Sequence, residues 1–524
     1  MSVPVYSRHI FIFPFQWDYI AHSSGKGDSP YRERTSLEAF DRVFSEVSPL
    51  RRTYFEIGTS AEHYSEYVYF HPFVRPALFA TKENESVYCY ELAEPGGSYN
   101  IKVRGDAEPY QLVLEKVSVQ VFDTGVGVMS FFLRNEKHPN QEDILRINDF
   151  GRRIYPQFMA QDDPLAAKNV FLADSISGQL GELNFHDDFK QYTEPIDHRG
   201  VFLPPDHIRQ IFGYKPTDRV GDSYCRFVFR DCDERKEKIR ISPVMDDRMY
   251  FLSFYNNASL VKKLEASEKT NKTTVDSINC YESGEMKDFW SKYLFGDGKD
   301  IGLANADLQL SETKRCTYNR WVGYGTLMGM TRDSSVYLTT ADFIEIHFMT
   351  MYYRMAVLCL VQRASILRFR GEITYLTCQI RKNRRQVSQN IKELYEDYIR
   401  FINEIHFREV SSQIQGIEMY QLFQRNMGIT DDVQALEDEL TKLFDYLDVE
   451  EQGELNKTAA FYLPISIIIG ALGVNFFAKE GFLGYLWGQS VSADSWTLGD
   501  VLTIIIIVLC LLTPIIARYL TTKK

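Results

Sequence analysis

Two periodicities divide the chain. Up to about residue 335, short runs rich in β-branched and aromatic residues alternate with amphipathic stretches, whereas beyond it the apolar positions recur at helical spacing. The run Ile10-Phe11-Ile12-Phe13-Pro14-Phe15 is too short and too aromatic for a signal-peptide core and predicts a first β-strand. Further strands are predicted over Tyr69 to Phe79, Leu112 to Val121, Val126 to Leu133 and Tyr250 to Tyr255, and helices over Leu37 to Val47 and Ile144 to Ile154. The pattern implies an α/β or α+β domain over residues 1–335. The polar stretch Ala266 to Ser277 predicts an exposed loop, or a subdomain boundary near 265–285.

Residues 336–457 predict long helices. Phe348 to Leu367 is apolar, but Arg354, Gln362 and Arg363 interrupt it, and each central arginine costs ~2.5–3.5 kcal/mol in a bilayer. It predicts a buried cytosolic helix. Val387, Ile391, Leu394, Tyr398, Phe401 or Ile402, and Ile405 trace a second helix, and Val433, Leu436, Leu440, Leu443 and Leu447 trace a third along a narrow seam. Thr430 is its expected N-cap, followed by Asp431 and Asp432 in the first turn.

The last 67 residues hold nearly all the long uncharged apolar sequence. Thr458 to Ala478 has no charge over 21 residues, which as a helix extends roughly 30 Å, the thickness of a bilayer core. Val501 to Ala517 has none over 17 and is flanked by Trp496 and Tyr519, where interfacial aromatics belong. The expected layout is a first span at 458–478, an external loop at 479–500, a second span at 501–520 and a basic tail at 521–524. Lys457, Arg518, Lys523 and Lys524 flank the spans, while the loop has one lysine and three acids. By the positive-inside tendency both termini face the cytoplasm of a plasma (inner) membrane.

Composition sharpens this picture in two ways. The formal charge is −12, and residues 458–524 carry four basic against three acidic side chains, so the surplus of acid lies before the spans. Such a body disfavours nucleic acid as a main partner. The eight cysteines are scattered with no C-x-x-C pair, which argues against a zinc site or disulfide scaffold and fits a reducing compartment.

The first span reads Pro464-Ile465-Ser466-Ile467-Ile468-Ile469-Gly470-Ala471-Leu472-Gly473-Val474-Asn475-Phe476. It resembles the pore helix of the CorA family of divalent-cation channels, with Pro464, Ser466, Gly470, Gly473, Asn475 and Phe476 in register. Val474 stands where the family usually has methionine, and the family's Met-Pro-Glu run beyond the span is missing. The resemblance covers roughly 430–524 and hardly touches the first 330 residues. It implies a homopentamer in the lipid bilayer, with five Asn475 carbonyls ringing the external mouth and Ser466, Leu463 and Leu455 lining the pore inward. Physical chemistry agrees that one hairpin cannot enclose a pore and that an amide at the end of a span belongs against protein or water. Mg²⁺ dehydrates reluctantly, so such a ring suits a hydrated ion, and the leucines suit a dewetting gate. The alternative reading of the glycines and Asn475 is plain helix packing. Between Asp431 and Lys457, ten acids face two lysines, a concentration that draws cations to the cytosolic mouth or forms a solvated helix face.

In the first domain, enzymatic signals are weak and no enzyme is expected. His186-Asp187-Asp188 reads as a turn, Asp149-Phe150-Gly151 lacks every other kinase motif, and Gly323, Gly325 and Gly329 have the spacing of a turn or bulge. Asn148-Asp149-Phe150-Gly151-Arg152-Arg153 is more informative: two guanidinium groups beside amide and carboxylate acceptors suit the phosphates and base or ribose of a nucleotide. Asp218, following Pro216, could add a loop contact; ordinary salt bridging is the alternative. The overall layout, including the aromatic start at Arg8-His9, resembles the CorA-like proteins that accompany type III CRISPR systems. That resemblance implies gating by a second messenger conjugating S-adenosylmethionine to AMP (SAM-AMP) during phage defence. The rivals are a constitutive Mg²⁺ transporter regulated by intracellular cation, and a membrane-tethered enzyme or scaffold.

Overall fold

The protein is described from a computed structural model, in which residues 4–20, 35–84, 86–154, 172–189, 205–213, 227–228, 238–244, 247–271, 279–298, 302–380, 384–471 and 505 are described. It divides into two compact units, Met1–Leu440 and Thr441–Lys524. The described strands are β1 (Ser7–Ile20), β2 (Arg51–Thr53), β3 (Val87–Leu92), β4 (Ser98–Lys102), β5 (Tyr110–Phe122), β6 (Val126–Asn135), β7 (Ser175–Leu180), β8 (Leu183–Asp188), β9 (Phe227–Val228), β10 (Lys238–Pro243), β11 (Tyr250–Tyr255), β12 (Thr317–Tyr318), β13 (Leu327–Met330) and β14 (Ser334–Leu338). The α-helices are α1 (Leu37–Val47), α2 (Ala61–Tyr69), α3 (Arg75–Leu78), α4 (Gln141–Gly151), α5 (Asp206–Arg209), α6 (Ala258–Asn271), α7 (Gly284–Phe295), α8 (Ala306–Cys316), α9 (Asp342–His347), α10 (Tyr353–Gln379), α11 (Arg384–Glu404), α12 (Ile414–Met427) and α13 (Ile429–Ala471). A π-helical turn, Phe348–Tyr352, joins α9 to α10.

All these strands belong to one mixed sheet, ordered β12-β13-β14-β11-β1-β6-β5-β4-β7-β8, with β10 and β9 branching from β1 and β3 and β2 from β5. The branching follows from strand length. β1 pairs with β11 through Ile12 and with β10 from Phe15 onward, so two partners share one edge. Pro14, which has no N–H to give a ladder, sits in the gap between them. β11 and β14 are the one parallel pair among the described strands, and the crossover between them carries α6, α7 and α8.

Helices cover both faces, which is why β1 is apolar at consecutive positions rather than alternate ones. On one face Phe11, Phe13, Phe15 and Trp17 join the core beneath α1, α4 and α7. On the other, Phe132 of β6 meets Tyr353 and Phe254 of β11 meets Phe348, where α10 and the π-helical turn lie. The apolar stretch 348–367 is thus a buried helix. By length and composition Asp342–Gln379 is the one described helical stretch able to cross a membrane, but two thirds of its apolar window is buried within the protein. Its polar residues are all engaged. Arg354 pairs with Glu66, Gln362 donates to the Ile405 carbonyl, and Arg363 donates to the Arg332 carbonyl.

Several sequence expectations need correcting. Tyr69 to Phe79 is the end of α2, a turn and α3, because Pro76 suits a helix start and the aromatics pack as helix faces. The first half of Ala266 to Ser277 is helical, since α6 runs to Asn271. His186-Asp187-Asp188 lies on β8 rather than in a turn. Helix α13 begins at Ile429, directly after Gly428 (φ 71°), which places Thr430 inside the first turn instead of capping it. The unit that begins at Met1 runs to Leu440, past residue 335, which falls within β14.

Candidate functional site

Helix α4 ends against the middle of the sheet. Gly151 makes this possible, since a Cβ there would stand 2.6 Å from the Phe11 ring. The chain then runs beside residues 247–249, with Met249 N–H donating to the Arg152 carbonyl (2.7 Å) and Ile154 N–H to the Asp247 carbonyl (2.8 Å). These contacts gather Asn148, Asp149, Arg152, Arg153 and Asp247 into one buried cluster.

The members have different commitments. Asn148 Oδ1 lies 2.7 Å from His9 Nδ1, and its amide donates to Ser253 Oγ at 3.2 Å. Tyr293 Oη donates to the Ser253 carbonyl, extending the network to α7. Burial pulls the His9 imidazole down to about 4, against the hydrogen bond to Asn148, so it is neutral at physiological pH. Arg153 is held between two carboxylates, Asp149 at 2.9 Å and Asp247 at 3.2 Å. Both Asn148 and Arg153 are thus engaged by neighbouring protein groups, Arg153 in the salt bridging that the sequence left as the alternative.

Arg152 differs. Its side chain is fully buried, with Nη2 donating to the carbonyls of Phe295 (3.3 Å) and Gly296 (2.9 Å) and the guanidinium 5.0 Å from the centre of the Phe251 ring. Gly296 allows the approach, because a Cβ there would meet the guanidinium at 2.9 Å. Nε and Nη1 have no hydrogen-bond partner among the described residues. Burial, and then the Arg248 charge, pull its pKa down to about 10, still far above neutral. A buried cation with two idle donors is a costly arrangement that an anionic group would relieve. Nearby Asp297, whose carboxyl burial pushes up, partly offsets the charge.

Asp218 lies outside the described residues. Asp149, the carboxylate of the patch seen in the sequence, is joined by Asp247, Arg248 and Asp297, which the sequence did not single out; the Gly296-Asp297-Gly298 turn after α7 was the available signal. Asp187, on β8, accepts from His207 Nδ1 at 2.7 Å and from the backbone N–H of Asp206 and His207. Although burial opposes it, the His207 interaction holds this carboxyl below the usual range, and the pair is structural.

The positions expected to line a pore fall on or beyond α13. Leu455, Leu463 and Ser466 lie on the helix, with Leu463 62% exposed and Ser466 exposed within the single chain. Their spacing of eight and three places them on one helical face. Gly473, Val474 and Asn475, the expected external loop and, Ile505 apart, the expected second span lie outside the described residues. Among the described residues no three His, Cys, Asp or Glu side chains are placed to hold a metal ion. Comparison of the chain with protein-family models, curated proteins and solved structures finds no match.

Proposed function

We propose that the protein is an oligomeric, CorA-like membrane channel for divalent cations such as Mg²⁺, opened or closed by a nucleotide second messenger bound in its first unit. The observation that carries this reading is α13: 43 residues of unbroken helix that pass from an acidic, heptad-like stretch into the apolar sequence beginning at Thr458. A membrane anchor needs no such continuity with a folded unit. Five copies would enclose a pore lined at Leu455, Leu463 and Ser466, with Asn475 at the outer mouth and the acid-rich stretch at the inner one.

The proposed messenger site centres on Arg152, whose idle donors suit a phosphodiester. Asn148 and Arg153 then act as positioning residues, through the His9 network and the Asp149–Arg153–Asp247 bridge. The messenger would be of the SAM-AMP type, and it must bind open and closed arrangements with different affinity to gate anything. The test is Mg²⁺ flux in liposomes carrying the full chain. Adding the adenylate conjugate should change the flux, and Asn475→Ala should change it independently of ligand. Absence of conjugate binding, or binding without any change in flux, would overturn the reading. Growth rescue of a strain lacking Mg²⁺ uptake, with no conjugate supplied, would instead favour the constitutive transporter.

A further inference from the structure

A cavity of about 390 Å³ lies on the sheet face away from α4. The two faces are told apart by neighbours in β6: Phe131 packs on Tyr99 and His207, whereas Phe132 packs on Tyr353, which lines the cavity. Its size suits a small-molecule site. One wall is the π-helical turn with the two residues that follow it, and such turns recur where helices serve a binding role rather than packing alone.

The lining selects for one kind of ligand by elimination. Its two permanent cations are neutralised by its own carboxylates, Arg354 by Glu66 and Lys116 by Glu91. Glu56 pairs with Lys82 at the exposed rim. Glu62, exposed on α2, has no ion pair among the described residues, so the lining keeps a negative charge. The directed hydrogen-bonding groups are largely committed too: Tyr353 Oη to Ser130 (2.9 Å), Thr350 Oγ1 to the Ile346 carbonyl (2.7 Å), and His63 Nδ1 to the Glu56 carbonyl (2.9 Å). Beside the Glu62 carboxylate the lining adds Tyr54, an exposed ring, and Phe55, a half-buried one that also packs on His63 and Phe79. These rings already attract cations, since the Arg354 guanidinium stands 5.2 Å from the Phe55 ring centre, and Arg52 and Lys82 stand 5.2 and 5.9 Å from that of Tyr54. A primary ammonium would seek three directed acceptors, whereas a quaternary ammonium needs none and gains from ring faces and a nearby negative charge.

We propose that this cavity binds a compact quaternary-ammonium cation of about choline size, between Tyr54, Phe55 and Glu62. The site stands apart from the nucleotide reading and does not depend on it. Titration calorimetry on the full chain in detergent, with choline and its uncharged shape analogue 3,3-dimethylbutan-1-ol, tests it. One choline should bind per chain, with the analogue at least about tenfold weaker, and Glu62→Gln and Tyr54→Ala should each weaken choline by about tenfold. Both side chains are exposed, so the melting temperature of each variant should match that of the parent. No saturable binding of choline at millimolar concentration, equal affinity for the uncharged analogue, or unchanged choline affinity in both variants would overturn the proposal.

Discussion

Adjacent arginines at the end of α4 have opposite energetic standing. Arg153 bridges two buried carboxylates, so Arg153→Met removes the ion pair of Asp149 and leaves Asp247 with Arg248, and it should destabilise the fold by about 3–5 kcal/mol. Arg152 neutralises less and carries idle donors, so Arg152→Met, which keeps the packing on Phe251, should leave the melting temperature unchanged or raise it. If Arg152 holds the messenger, that same variant abolishes conjugate binding. Chemical denaturation of the two variants checks the contrast, and a large destabilisation by Arg152→Met would show that its charge is compensated in the native state. The sequence displayed the pair but not this division, because which arginine meets a carboxylate depends on residues 247–249, about a hundred positions away. His9 was legible only as part of an apolar run. Its imidazole is depressed to about 4 in the folded protein against 6.5 unfolded, so the unfolded chain takes up the proton first as pH falls. Stability should therefore be lost between about pH 6.5 and pH 4, by roughly 3 kcal/mol from this group, and His9→Gln should flatten that part of the profile.

Elements with a simple period were readable: Leu37–Val47 and Tyr250–Tyr255 coincide with the expected helix and strand, and Val387, Ile391, Leu394, Tyr398 and Phe401 of α11 are buried as their spacing implies. Aromatic density misled at Tyr69 to Phe79, where rings that favour strands in isolation pack instead around Arg75 and Phe79. The π-helical turn left no sequence signal, since one extra residue barely perturbs the period. Contacts between distant elements were likewise invisible, and the β5–β6 hairpin against α11 illustrates their consequence. Burial, and next the Glu404 carboxylate, push Asp123 up to about 7, with Asp397 adding to the rise and Arg400 opposing it. A carboxyl raised above its unfolded value stabilises below about pH 4 and loses that contribution as pH climbs towards 7. Asp123→Asn should consequently stabilise the protein at pH 8 while leaving it unchanged or weaker at pH 4. Thermal melts at the two pH values check this, and an equal shift at both would assign the effect to packing.

At the scale of the molecule, the division at Leu440 and the continuity of α13 make a joint demand. If the first unit senses a messenger and the rest conducts, then the pore's equilibrium must act back on the messenger, because coupling between two binding equilibria is reciprocal. A fragment comprising Met1–Leu440 holds the Arg152 cluster, the sheet and all helices up to the first turns of α13. Such a fragment should melt cooperatively without detergent and bind the conjugate with the intrinsic affinity of whichever arrangement the ligand prefers. In the full chain part of the binding energy is spent on shifting the pore, so the measured affinity should be weaker, by a factor in the range of about 5–150. Asn475→Ala, which alters the mouth rather than the proposed gate at Leu463 and Leu455, should leave the full-chain affinity as it is, whereas Leu463→Asp, which wets the gate, should bring it towards that of the fragment. Equal affinity of fragment, full chain and gate variant would mean that ligand binding and the membrane segment are energetically independent. The hairpin would then be an anchor, and the scaffold reading would replace the channel.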